Sequence, residues 1–246
     1  IRMVTGVQTC ALPILFSVMA AIAVAVGLPE TFPAHQPRQP LSGSLRRYID
    51  LLSDRVYLGY ALTGGISIAG MFAYIAGSPF VFIKLYGVPA EHYGWVFGSN
   101  AAGFILMAQV NARLLARRGP AFLLSRTVWL YMLAALALLG VAALRTDALW
   151  PLLVPLFICI ASLGCILPNT SACAMSGQGA RAGSASAMLG CIQFGVAAGA
   201  ASLVGVLHDG TAMPMAMVIS VCGVLAVTIG MSTQRLQRAR ALQAQV

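Results

Sequence analysis

Five polar side chains interrupt long apolar stretches of this chain: Tyr74, Ser78, Asn100, Asn169 and Gln193. A tyrosine combines an apolar ring with a hydroxyl, and an amide both donates and accepts hydrogen bonds. Such side chains could hold an amphipathic small molecule in a cavity between helices. Facing lipid would leave them without partners, so each must point at another helix or at a water-filled cavity. We therefore predict that these five residues line a cavity that binds a small molecule.

The same residues also allow a structural interpretation. The helical face that carries Tyr74 and Ser78 could pack against a neighbouring helix, with the hydroxyls bonded internally. Asn100 could clasp two helices together, and Asn169 lies near the end of its stretch and could cap a helix there. Gln193 is the only strongly polar side chain in the middle of its stretch. A polar group at that depth is a functional candidate by default.

Small residues recur at every fourth position around Gln193. This spacing places them on one helical face and lets a second helix approach closely. We predict a helix-packing stripe whose members are Ala187, Cys191, Gly195 and Gly199.

Residues suited to catalysis or metal binding are not grouped in the sequence. The three histidines are isolated in loops, and the six cysteines contain no C-x-x-C pair. The serines share no apolar stretch with a histidine or a carboxylate that could activate them. We predict no catalytic residue, no metal and no cofactor, and hence a protein that is not an enzyme.

The apolar stretches that must position the polar side chains are long enough to be membrane-spanning helices. A helix needs roughly 20 apolar residues to cross the hydrocarbon core of a bilayer. Hydrophobic residues make up 59% of the chain and charged residues only 9%, with a mean hydropathy of +0.87. The predicted fold is therefore an all-α integral membrane protein. Its predicted spans are 57–83, 93–112, 122–143, 149–169, 185–207 and 212–232.

The basic residues indicate how these spans are oriented. The net charge of +9 could suggest nucleic-acid binding, but the basic residues lie in short loops between apolar stretches, so we predict no nucleic-acid partner. Lys84 and Arg145 lie on one side of the six-span arrangement, and Arg2 precedes it. Basic loops stay in the cytoplasm, so we expect the segment before Val56 and the tail 233–246 to be cytoplasmic. The other side carries Arg38, Arg46, Arg47, Arg55, Arg113, Arg117, Arg118, Arg126, Arg181, Arg235, Arg238 and Arg240.

The part of the chain before the first complete span has three sections. Residues 1–14 resemble a peptide that recurs when sequencing-adapter DNA is translated in frame, so we expect a non-native leader there. Residues 15–28 form an apolar run that is too short to span a membrane alone. Residues 29–56 contain four prolines and then a predicted amphipathic helix, 45–54, whose apolar face would lie on the inner membrane surface. A solvated linker with accidental periodicity is the alternative. The predicted apolar face consists of Leu45, Tyr48, Ile49 and Leu52.

The six spans could be two copies of a three-helix unit, because 57–143 and 149–232 have similar lengths and each begins with a helix that contains proline. Nested repeats of this kind are typical of secondary transporters.

Several strings of residues resemble the Bcr/CflA family of drug exporters in the major facilitator superfamily. They are LPETFP (28–33), LLSDRVYLGYAL (51–62), YIAGSPFVF (74–82), LYGVPAEHYGWVFGSNAAG (85–103), ILPNTSACAM (166–175) and RAGSASAMLGCIQFGVAAGA (181–200). The resemblance covers residues 15–234. The loop 111–120 departs from the basic loop motif of the superfamily, because it has Asn111 and no acidic residue.

The resemblance implies a fold and a function. Residues 15–28 would be the end of span six, 29–56 the central cytoplasmic loop and 57–232 spans seven to twelve. It implies a multi-pass protein of the bacterial inner membrane that exports amphipathic antibiotics, such as bicyclomycin or chloramphenicol-like drugs, in exchange for protons. The six spans hold no intramembrane carboxylate, so proton coupling would depend on the N-terminal half. The alternative function is a membrane scaffold or accessory subunit that uses the same half-transporter fold without transport.

Overall fold

The computed structural model describes residues 2–27, 44–146 and 148–243. This part of the chain is helical apart from short connections. The long helices are α1 (Arg2–Gly27), α3 (Arg55–Pro79), α4 (Ala90–Arg118), α5 (Pro120–Ala143), α6 (Trp150–Met175), α7 (Ala182–Val206) and α8 (Met213–Gln243), and a short helix, α2, covers Ser44–Ser53. Helix α3 continues into a π-helical stretch, Phe80–Leu85, directly after Pro79. Proline supplies no N–H for the α-helical ladder, which accounts for the change of helix type at this position.

Each predicted span corresponds to one of the helices α3 to α8. Within the described residues, five helices are long and apolar enough to cross a membrane: Arg55–Leu85, Pro120–Ala143, Trp150–Met175, Ala182–Val206 and Met213–Gln243. Helix α4, which covers the predicted span 93–112, is not among them. Its 29 residues give a length of about 43 Å, but the amides of Asn100, Gln109 and Asn111 lower its hydropathy.

The structure describes part of the segment before α3, and the predicted boundaries within it stay predictions. Helix α1 is continuous across the expected boundary between residues 14 and 15, and the proline-rich segment 28–43 lies outside the described residues. Helix α2 is present and contacts α3 and α7. Its fully buried residue is Leu51, which the periodicity missed, whereas Ile49 and Leu52 remain exposed. The location of α2 on the membrane surface stays a prediction.

The six helices α3 to α8 pack in a pattern that supports two three-helix units. Helix α3 packs against α7 and α8, and α6 packs in the same way against α4 and α5. The contacts between α3 and α6 and between α5 and α8 complete the set of large interfaces. Exchanging α3–α4–α5 with α6–α7–α8 leaves this pattern unchanged, as expected for the nested repeats of a transporter fold.

Glycines permit close crossings between the units. A side chain at Gly164 of α6 would overlap the backbone of α4 at Phe104 and Ala108. In the other unit, a Cβ at Gly65 of α3 would lie 3.4 Å from the Cα of Gln193 in α7. The first helix of each unit is thus the central one. In the most apolar part of each helix, 61% of α3 is buried but only 17% of α7.

Candidate functional site

Tyr74 and Asn100 form a buried polar contact between α3 and α4. The amide nitrogen of Asn100 lies 3.2 Å from the Tyr74 hydroxyl and 3.0 Å from the carbonyl oxygen of Val96, and donates to both. Tyr74 is 2% exposed and Asn100 is 2% exposed. The side-chain oxygen Oδ1 of Asn100 has no hydrogen-bond partner within the described residues.

An aromatic cluster surrounds this contact. The Tyr74 ring stacks on Phe97 with centroids 5.7 Å apart and planes inclined by 15°. Tyr93 lies 6.0 Å from Phe97 and 6.3 Å from Phe82. The cluster therefore joins α3, the π-helical stretch and the first turns of α4. Ser78 is part of it, because its hydroxyl is 2.8 Å from the Tyr93 hydroxyl.

Asn169 belongs to a second polar group, between α4, α5 and α6. Its amide nitrogen donates to Asn111 Oδ1 at 2.7 Å and to the Cys165 carbonyl at 2.8 Å. The Cys165 thiol donates to the same Asn111 oxygen at 3.1 Å, and Thr127 donates to the Cys165 sulfur at 3.1 Å. Asn169, at 0% exposure, is thus bonded to a neighbouring helix, and it lies in α6 rather than at its end, Met175. The alternative in which Asn169 caps its helix is wrong.

Gln193 lies apart from both groups, where α7 crosses α3. Its amide is beside Gly64 and Thr170: a Cβ at Gly64 would lie 3.0 Å from Gln193 Nε2 and 2.8 Å from the Thr170 hydroxyl oxygen. Within the described residues, Gln193 Nε2 is buried without a hydrogen-bond acceptor. The structure therefore brings together Tyr74, Ser78 and Asn100, and places Asn169 and Gln193 in separate contacts.

A groove between α4 and α6 adjoins the first group. Its volume is about 440 Å³, and Asn100 is one of its lining residues. The others are Trp95, Val96, Ser99, Trp150, Leu153, Val154, Phe157 and Ile158. This groove was not predicted, since α4 and α6 come together only in the folded chain.

Two comparisons with known proteins identify the type of bundle. The chain is 34% identical over 209 residues to the MFS-type transporter YdgK of Bacillus subtilis, covering 84% of this chain and 51% of that protein. It is 28% identical over 215 residues to a bicyclomycin resistance protein homolog of Haemophilus influenzae, covering 87% and 54% respectively. The chain belongs to the major facilitator superfamily and is Bcr/CflA-like. No protein-family model matches it.

The chain spans about half the length of the curated relatives it matches. The relatives and the apolar helices together make it a multi-pass membrane protein with an all-α half-transporter fold. The resemblance to the Bcr/CflA family that the sequence strings carried is thereby confirmed.

The predicted small-residue stripe of this superfamily protein lies on the outward face of α7. Ala187, Cys191, Gly195 and Gly199 are all exposed. A Cβ at Gly195 or Gly199 would meet no atom of the described residues within 4 Å. Its role in helix packing stays a prediction, because the described helices do not cover it.

On the predicted cytoplasmic side, Asp54 connects the start of α3 to the end of α8. Its carboxylate caps α3 by accepting from the Val56 N–H at 3.1 Å and accepts from Arg240 of α8, also at 3.1 Å. Gln178, between α6 and α7, donates to its second oxygen at 3.2 Å and accepts from Arg181 at 2.7 Å. Burial alone would raise the pKa of Asp54, but the hydrogen bonds from Arg240 and Val56 outweigh it and lower the pKa. Sequence reasoning used these charges only for orientation and missed the network.

Proposed function

We propose that this chain supplies one six-helix half of an exporter of small amphipathic molecules, including antibiotics, across the bacterial inner membrane. The observation that carries the proposal is the alignment of most of the chain with an MFS-type transporter and with a bicyclomycin resistance protein homolog. In this proposal residues 57–232 are spans seven to twelve, and residues 15–28 end the sixth span.

The outward face of α7 supports the pairing with a second half. This helix is apolar throughout but is the least buried of the five spanning helices. Its exposed stripe of Ala187, Cys191, Gly195 and Gly199 would let a partner helix come close. We propose that the other half of the transporter covers this face and that a cavity for the transported molecule lies between the halves.

Among the five predicted site residues, Tyr74 and Gln193 are the most informative to test. The Tyr74 hydroxyl fixes the Asn100 amide, and the Gln193 amide is buried without an acceptor. A transported molecule that carries acceptors would satisfy Gln193, and an aromatic one would stack with the cluster around Tyr74. Asn100 donates to the Tyr74 hydroxyl and Ser78 bonds Tyr93 of the same cluster, whereas Asn169 is bonded to Asn111 in a separate contact.

We propose that export is driven by protons and that the proton-binding carboxylates belong to the other half. The acidic residues of this chain lie outside the middle of its apolar spans. Everted membrane vesicles that contain the full-length transporter would release protons when the drug is added. If adding the drug does not change the proton gradient of the vesicles, proton coupling is contradicted. The export assay below does not depend on this result.

The export assay uses the full-length parent transporter in a drug-susceptible strain. Tyr74→Phe and Gln193→Ala are expected to reduce drug export while membrane abundance stays nearly unchanged. Ser125→Ala is the matched control, because Ser125 is an exposed hydroxyl that bonds only its own helix, at the Phe122 carbonyl. If the wild-type transporter does not lower drug accumulation, the scaffold function is favoured. If both variants export normally, the two residues are packing elements.

The proposed orientation has a separate test. Single cysteines at His92 and Gly119, at the two ends of α4, are labelled in intact cells with an impermeant reagent. Basic residues concentrate near Gly119, so the position at His92 should react and that at Gly119 should be protected. The reverse labelling pattern would contradict a cytoplasmic C-terminus.

A further inference from the structure

We propose that the groove between α4 and α6 is a binding site for an uncharged, mostly apolar molecule that carries a hydroxyl or N–H donor, which Asn100 Oδ1 accepts. This inference rests on the proposed function, in which the bound molecule is the transported one, and it names the chemical class of that molecule.

The groove has the size and the lining of a small-molecule site. Its volume of about 440 Å³ lies within the usual range of roughly 300 to 1,000 Å³ for ligand pockets. Trp95 and Trp150 stand at the starts of α4 and α6, and both side chains are largely exposed, at 81% and 77%. Aliphatic side chains and the ring of Phe157 form the rest of the wall. Such a lining favours an apolar ligand and, through its indole rings, a flat one.

The buried amide of Asn100 adds a specific polar feature. The Val96 carbonyl can only accept a hydrogen bond, so the nitrogen of the amide must be the atom that faces it. This fixes the opposite atom, Oδ1, as an acceptor, and it has no donor within the described residues. A buried acceptor without a donor costs about 1–3 kcal/mol, so a ligand that supplies the donor would gain from it.

The remaining lining residues restrict the charge and polarity of the ligand. The only other polar side chain apart from the indoles is Ser99, and its hydroxyl already donates to the Val96 carbonyl at 2.8 Å. None of the lining residues is charged. Besides the two indole N–H donors, the groove therefore offers oxygen acceptors and no ionic partner, which favours a neutral molecule, and the unpaired Asn100 Oδ1 favours one that carries a donor. A lipid acyl chain could fill the same volume, but it has no donor for Asn100.

The test compares two fluorescent probes, of which only one has a hydrogen-bond donor. The chain is placed in lipid nanodiscs and titrated with N-phenyl-1-naphthylamine, which has an N–H, and with its N-methyl derivative, which has none. Both fluoresce in apolar surroundings, and empty nanodiscs give the partitioning background. We expect the N–H probe to bind about fivefold more tightly than the N-methyl probe. Asn100→Leu should abolish this difference.

Control variants distinguish binding in the groove from partitioning of the probes into the surrounding lipid. Trp150→Leu, within the groove, should weaken the binding of both probes, whereas Trp129→Leu, an exposed tryptophan of α5 outside it, should not. Equal affinity of the two probes for the wild-type chain would overturn the proposal, as would a difference no larger than in empty nanodiscs. These comparisons need no Asn100 variant, so misfolding of Asn100→Leu cannot mask them. Because binding is measured without transport, a failed export assay leaves this result interpretable.

Discussion

Substituting Gly164 with alanine should weaken the packing of α4 on α6. A Cβ at this position would overlap the carbonyl oxygen of Phe104 and lie 2.9 Å from the backbone nitrogen of Ala108. Both atoms belong to the backbone of α4, so no side chain can turn aside, and the two helices must separate. Since the groove and the Asn111–Asn169 contact lie in the same interface, its geometry depends on this close approach.

The size of the effect follows from two opposing terms. Forcing one extra carbon into a packed interface costs about 1–3 kcal/mol, and alanine in place of glycine returns up to about 1 kcal/mol of helix propensity. Gly190→Ala is the matched control, because a Cβ there would meet nothing within 4 Å and only the propensity term acts. The free energies of unfolding of the two variants should therefore differ by about 1–3 kcal/mol.

The measurement is denaturant-induced unfolding of the chain in micelles, followed by circular dichroism. Gly103→Ala provides an intermediate case, since the added carbon would meet only the ring of Phe157, which can rotate. We expect Gly190→Ala to be the most stable variant, Gly103→Ala to be intermediate and Gly164→Ala to be the least stable. A Gly164→Ala chain as stable as the Gly190→Ala control would refute the close crossing of α4 and α6.

Three further predictions concern other contacts. Asn169→Leu leaves Asn111 without its shortest hydrogen bond and should lower the free energy of unfolding by about 1–3 kcal/mol; an unchanged unfolding curve would contradict the contact. Asp54→Asn keeps the helix cap but loses the ion pair with Arg240, which is worth at most about 1 kcal/mol because both side chains are partly exposed. The pKa of Asp54 is lowered below 3.8, so the ion pair stabilises the wild type above that pH and is lost as the pH falls further. The melting temperatures of the wild type and of Asp54→Asn should therefore converge below about pH 4. A difference that stays constant with pH would refute this. Cys191 is exposed, so N-ethylmaleimide should modify it before the buried cysteines, as read by mass spectrometry of peptides; co-expression of the other half should slow this modification.

The approximate positions of the long helices could be predicted because apolar stretches in a membrane protein must be helical, although the hydropathy of α4 is lowered by its amides. Helix ends were less predictable. The apolar run of the last span stops at residue 232, yet α8 continues to Gln243. The arginines, glutamines and alanines that follow leave the membrane but are all good helix formers, so the helix does not stop where the apolar run does.

The polar residues of the site could be recognised, but their partners could not. The sequence shows Asn100 within an apolar stretch, but only the fold shows that its partner is Tyr74 of α3. Asn111 lies at the start of a segment that resembles a loop motif, so its hydrogen bond to Asn169 could not be inferred from spacing. Tyr93 was missed because it lies just at the start of its span, where a tyrosine is normally an interfacial residue.

The exchange pattern of the two units relates two of the four buried polar side-chain atoms that have no hydrogen-bond partner within the described residues. Helices α4 and α7 occupy equivalent places, each crossing the central helix of the other unit and each with fewer buried residues than that helix. Each also carries a buried amide with one unsatisfied atom: an acceptor at Asn100 and a donor at Gln193. A fold that only needed these amides for packing would gain by pairing them or replacing them with apolar side chains. Tyr131 of α5 and Asn169 of α6 also have an unpaired polar atom, but only Asn100 and Gln193 lie at equivalent crossings with opposite hydrogen-bonding character, which is what the proposed binding of a polar group between helices would require.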